Sequence, residues 1–261
     1  MTILHHELRR NRLALLIWSI AIASMLFISI IIYPEMRSSM LEATNMFSQM
    51  GDFSAAFGMD KVNFGEYMGY IAVECGNVLG LGGALFAAII GVSALAKEEK
   101  DHTAEFLLTH PVKRSRAVLE KLLSVYIRVL ILNLIVAAVM VAATYMIGEK
   151  PEAKLFFLLM LAYFLMQIEI ASVCFGISAF MRRGEIGIGL GFALLMYFLN
   201  IIANLTKDAE WLKYVTPFAF ADGTSIASSM SIEWKYAAVG LALAVAGVIA
   251  AFVKYGKKDI R

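Results

Sequence analysis

The residues Leu13–Ile32, LALLIWSIAIASMLFISIII, hold no charged side chain over twenty positions. A hydrocarbon core of about 30 Å is crossed by about 20 helical residues. The run is therefore long enough to span a bilayer, and too long for the apolar core of a cleaved leader, which is about 7–15 residues. Ala21-Ile22-Ala23 resembles a cleavage triplet after Arg9, Arg10 and Arg12, yet the run continues to Ile32, so a retained anchor is expected. Five more runs share this character: Ile71–Ala96, Leu122–Ile147, Leu155–Met181, Ile186–Leu205 and Tyr236–Val253. In lipid each backbone N–H and C=O must be satisfied within the segment, which a helix achieves and an open strand does not. The fold class is thus an all-α integral membrane protein with six transmembrane helices, forming one domain over residues 1–261.

Composition agrees. The chain is 60% hydrophobic and only 17% charged, where soluble domains run near a quarter charged. A net charge of +2 without a basic, aromatic-interleaved patch argues against a nucleic-acid partner. Cys75 and Cys174 each lie in an apolar run with no metal-ligand neighbour, and read as small buried hydrophobes. No metal site and no catalytic constellation emerges.

Lysine and arginine placement sets the direction of the spans. One side would carry Arg9, Arg10, Arg12, Lys97, Lys100, Lys113, Arg114, Arg116, Lys121, Arg182, Arg183, Lys254, Lys257, Lys258 and Arg261. The other would carry Arg37, Lys61, Lys150, Lys154, Lys207, Lys213 and Lys235. Fifteen against seven places both termini in the cytoplasm, in a multi-pass protein of the cell membrane. Gly148–Lys154 and Arg182–Glu185 are tight turns, so spans three, four and five are antiparallel neighbours. The outer connections Tyr33–Tyr70 and Thr206–Lys235 are longer and expected to form short interfacial helices.

Between spans two and three lies Lys97–Arg116, KEEKDHTAEFLLTHPVKRSR. Asp101 suits an N-cap, and Ala104, Leu107 and Leu108 share one helical face beside Phe106. His110 precedes Pro111, so the short helix should stop there. Pro111 then suits the start of an interfacial helix feeding span three, whose Lys113, Arg114, Arg116 and Lys121 can reach lipid headgroups. A solvated loop would explain the charges but leave the apolar face bare. A docking surface for a partner explains both.

The run Glu98-Glu99, Thr103-Ala104-Glu105-Phe106-Leu107-Leu108, Pro111-Val112, Arg114 and Lys121-Leu122 resembles the signature of the six-helix permeases of type-2 ABC exporters. His102 stands where that family usually has glycine. His5–Arg12, HHELRRNR, resembles the family's amphipathic elbow helix. Trp211–Phe218, WLKYVTPF, is similar to its Leu-x-Tyr-x-x-Pro-Phe stretch after span five. The resemblance implies a permease pair, either two copies or a related heterodimer, above two separate ABC ATPase subunits. Those ATPases would dock on a cytoplasmic coupling helix formed by Thr103, Ala104, Glu105, Phe106, Leu107 and Leu108. The chain has no Gly-x-x-x-x-Gly-Lys-Ser/Thr loop. ATP and magnesium would accordingly sit on the partner, leaving this chain a non-catalytic transport subunit without a cofactor of its own.

Ionisable or amide groups inside spans are costly and often functional. Arg128 should lie about 9 Å deep in span three, and Glu169 about 18 Å from the inner end of span four. Asn133 falls at a similar height to Glu169, so a Glu169–Asn133 or Glu169–Arg128 pair across the hairpin is expected. Glu74 belongs near the outer mouth. Gly76, Gly80 and Ala84 in span two, and Gly187 and Gly191 in span five, form small-residue faces suited to close packing. Gly82, Gly83 and Gly91 would tolerate bending of span two.

Two other function classes compete. A secondary transporter driven by an ion gradient would use Glu74 and Glu169 as proton carriers. An intramembrane enzyme would need His-Glu-x-x-His, paired aspartates or Gly-x-Ser-x-Gly, and the chain has none of these.

Overall fold

The computed structural model describes residues 2–49, 54, 62–63, 65–100, 114–181 and 185–257. Among them every regular element is helical. An amino-terminal helix, α1 (Thr2–Arg10), leads into α2 (Arg12–Gln49). The second span is α3 (Tyr67–Glu74), a π-helical stretch (Cys75–Gly80) and α4 (Leu81–Lys100) in unbroken succession. Next come α5 (Arg114–Met146), α6 (Ala153–Ser178) and α7 (Ile186–Leu205). A 3-10 helix (Lys207–Tyr214), a short α8 (Gly223–Ser229) and α9 (Trp234–Lys257) complete the chain. Six helical segments are long and apolar enough to cross a bilayer, in agreement with the count from sequence.

Their ends differ from the hydropathy boundaries. The first outer connection begins not with a separate short helix but with the continuation of α2 to Gln49. Beyond Pro34 the chain offers Glu, Met, Leu and Ala, all good helix formers, and one proline costs less than abandoning four further turns. Tyr33 Oη and Arg37 Nε both donate to the carbonyl of Gly65, at 2.8 and 3.2 Å, which pins the start of α3 to this extension. Similarly, α5 runs as one helix of 33 residues from Arg114, about 50 Å long. The Arg116–Glu120 pair, 3.0 Å apart at i,i+4, supports its polar first turns. The second outer connection does form short helices. Asp222 caps α8, accepting from the Thr224 N–H at 3.1 Å.

Helices α4 and α6 make the centre of the bundle. On α4, Ala84, Phe86, Ala87, Ala88 and Val92 are fully buried; on α6, Leu159, Ala162, Met166, Ile170 and Ala171 are equally so. Lipid offers little hydrophobic drive between helices, so close backbone approach supplies the contact. A Cβ on Gly91 would stand 2.6 Å from the Ala171 carbonyl, joining α4 to α6. One on Gly176 would stand 2.6 Å from the Gly247 carbonyl, joining α6 to α9. One on Gly189 would stand 2.8 Å from the Ala88 carbonyl, joining α7 to α4. The small-residue expectation for span five is therefore corrected by two positions: Gly187 and Gly191 meet open space, and Gly189, midway between them, makes the approach. In span two, Gly80 faces the Tyr163 ring and Gly83 lies under Gln167, so these glycines serve packing. Helices α2, α7 and α9 carry large exposed apolar side chains such as Ile17, Phe198 and Leu241, as a lipid-facing periphery requires.

Candidate functional site

The first and last described helices share one end of the bundle. The Leu4 N–H donates to Glu120 Oε2 at 3.1 Å, and Arg114 donates to the Gly256 carbonyl at 3.4 Å. At this end α1 lies against the first turns of α5, and a buried ion pair forms between them. Lys121 Nζ donates to Glu7 Oε1 at 2.9 Å and to the Ala94 carbonyl of α4 at 3.0 Å. Glu7 Oε2 also accepts from Asn11 Nδ2 at 3.0 Å. One ammonium thus fastens three elements: the amino-terminal helix, the end of span two and the start of span three. Burial pushes the Glu7 carboxyl up, but the Lys121 ammonium, with Arg128 and Arg10 beyond it, outweighs burial and holds it below its ordinary 4.5.

Arg128 sits one level deeper. Its Nε donates to the Ser124 carbonyl at 3.0 Å, and the residue is only 4% exposed. Its charge lies within electrostatic reach of Glu7. The expected partnership with Glu169 is therefore replaced by the Glu7 neighbourhood, a turn and more closer to the membrane end.

At mid-bundle the expected Glu169–Asn133 pair is also corrected. Asn133 Nδ2 donates to Gln167 Oε1 at 2.7 Å and to the Val129 carbonyl at 2.9 Å. Gln167, fully buried over Gly83, takes the place assigned to Glu169. Residues two apart on a helix diverge by about 200°. When Gln167 faces α5, Glu169 must face elsewhere. Its carboxyl group lies against Gly240 of α9, where an added Cβ would collide with Oε2 and the carboxyl carbon. Glu169 Oε2 is buried without a hydrogen-bond partner.

At the far end, Glu74 accepts from Ser29 Oγ at 3.1 Å. Tyr70 Oη donates to the Ser29 carbonyl at 3.1 Å, and Tyr67 bonds Thr144. Tyr33 packs on both tyrosines, with ring centroids 5.3 and 5.0 Å away. Beside this cluster the π-helical turn contributes Asn77 to a small polar cavity, with Asn200, Asn204 and Asp222 opposite. Such turns often mark functional positions. A hydropathy reading could not have found this one, because a π turn leaves the composition unchanged.

The residues read as a coupling helix, Thr103, Ala104, Glu105, Phe106, Leu107 and Leu108, lie outside the described residues. Their flanks do not: α4 ends at Lys100 and α5 begins at Arg114, and Lys121 bridges the two helices six residues before the one end and seven after the other.

A family model described as "ABC-2 family transporter protein" matches residues 1–260. No curated protein matches the chain.

Proposed function

Because the chain belongs to the ABC-2 transporter family, we propose that it is the permease subunit of an ATP-driven exporter, taking its motive force through residues 97–116. In this reading two ATPase subunits bind beneath a permease pair, made of two copies of this chain or of this chain and a related one. The termini face the cytoplasm of a cell-membrane complex, and ATP with magnesium stays on the partner.

The observation that carries the proposal is the position of Lys121. It holds the two flanks of the 97–116 segment to each other and to α1 at 2.9 and 3.0 Å. A push on that segment from below is then delivered to spans two and three and the amino-terminal helix together. At helical spacing, Ala104, Leu107 and Leu108 of the segment would offer an apolar face to a groove and Glu105 a charge at its rim.

The test is co-purification with the ATPase after Leu107→Asp and Leu108→Asp. Each substitution should abolish ATPase recovery while leaving the permease folded in detergent. Recovery at the wild-type level would refute the docking site. A carrier driven by an ion gradient through Glu74 and Glu169 would instead transport without nucleotide and stop when the proton gradient collapses.

A further inference from the structure

We infer that Glu169 is the charge-recognising group of a membrane-embedded site for small lipophilic cations, amphipathic amines or quaternary ammonium compounds. Two apolar spaces meet at this side chain. One, of about 380 Å³, lies between α6, α7 and α9, walled by Val173, Phe192, Met196 and Leu243. The other, of about 290 Å³, lies on the far side of α9, walled by Leu165, Phe220 and Leu241. Each is near the size of a small-molecule pocket, about 300–1,000 Å³. Glu169 lines both and is only 5% exposed.

The carboxylate is aimed, unpartnered, into these apolar walls. Its Oε2 has no hydrogen-bond partner, and no lysine, arginine or histidine among the described residues forms an ion pair with it. Every other acidic group described at depth is engaged: Glu7 by Lys121, Glu120 by Arg116 and Glu74 by Ser29. Leu or Met at position 169 would pack the same space with no desolvation cost. Gly240 clears room for the carboxylate on α9, so the two positions fit each other as a pair. Lys254 lies over the Phe180 ring at the groove, 5.5 Å from its centroid, and Phe180 stands eleven residues beyond Glu169, about 16 Å along the helix axis. The built feature is therefore an isolated carboxyl group between apolar walls, which a molecule with one positive centre and a hydrophobic body complements by displacing the carboxyl proton. That such a molecule is also the exported cargo rests on the transporter reading above.

The test is equilibrium binding to the purified chain in lipid nanodiscs, without ATP or ATPase, so its failure is separable from failure of the transporter reading. The probes are tetraphenylphosphonium and its neutral isostere tetraphenylmethane carrying the same reporter. Wild type should bind the cation at least tenfold more tightly than the isostere. Glu169→Gln should erase that preference, and Leu243→Trp, which fills the groove from its exposed rim, should weaken cation binding at least fivefold with Glu169 intact. Equal affinity for both probes would mean a lipid-tail groove and overturn the inference. So would absence of binding, as when a second copy of the chain covers the groove, or a cation preference that survives in Glu169→Gln. If Glu169→Gln failed to fold, Leu243→Trp alone would decide: unchanged cation affinity refutes the site.

Discussion

Replacing Lys121 with methionine removes the ammonium and keeps the length of the side chain. The side chain is 2% exposed and its partner Glu7 is 11% exposed, with 2.9 Å between charges. At an effective dielectric of about 20 the gross attraction at that separation is about 6 kcal/mol, and most of it offsets the desolvation of two buried ions. The net effect of losing one partner comes from the orphaned carboxylate, about 3–5 kcal/mol. Arg128 remains within electrostatic reach of Glu7, so Lys121→Met should sit at the lower end, about 3 kcal/mol. Glu7→Gln should cost about 2 kcal/mol, since the ammonium keeps the Ala94 carbonyl. The double substitution removes both members of the pair but leaves the buried Arg128 without the Glu7 charge, and should cost about 3 kcal/mol, a coupling of about 2 kcal/mol. Denaturant titration followed by tryptophan fluorescence measures all three variants. Costs that add to within about 0.5 kcal/mol would refute the idea that this pair acts as a unit. Acid supplies an independent check. The folded carboxyl of Glu7 is held below its ordinary 4.5, so its contribution is complete above that value and is lost as pH falls through the lower, folded one. Wild type should lose stability below about pH 4.5 more steeply than Glu7→Gln.

Packing and polar predictions follow from the same structure. Gly176→Val should destabilise by about 1–3 kcal/mol or prevent folding, because its Cβ would meet the Gly247 carbonyl at 2.6 Å. Gly187→Ala and Gly191→Ala, with open space around them, should be neutral or gain up to about 1 kcal/mol of helix propensity; the same titration distinguishes the two outcomes. Gln167→Leu should cost about 1 kcal/mol by stranding the Asn133 amide, and Asn133→Leu in the same chain should recover part of it. Accessibility labelling of a cysteine at position 94 should rise in Lys121→Met if the ammonium holds α4 to α5, and stay flat if it does not.

The six spans were legible because twenty apolar residues in a row have few other uses. Helix ends were not, and the reason is specific. Hydropathy ends span one at Ile32, whereas α2 continues to Gln49. At span three the helix expected after Pro111 is found from Arg114, but its Lys121 turns inward to Glu7 instead of out to lipid headgroups. The partners of Glu169 were misjudged because height along a span was read without angle around it. Gln167 was the available signal: an amide two residues away must point to a different neighbour. For the glycines, spacing alone favoured Gly187 and Gly191, and only the placement of α4 shows that Gly189 is the one that meets it.

The π-helical turn at Cys75–Gly80 has a practical consequence for anyone scanning the second span residue by residue. A six-residue stretch of wider helix accommodates about one residue beyond the α-helical register, or about 100° of rotation. A single helical wheel drawn from Tyr67 to Lys100 will therefore misassign one half of the span. Two wheels, with a phase slip between them, describe it correctly. A cysteine or tryptophan scan should show sensitivity recurring with one phase before Cys75 and another after Gly80. Deleting a single residue inside the turn would return it to α-helical winding and bring the halves into one phase, while Tyr67 and Tyr70 kept their contacts with Tyr33 and α4 its seat on α6.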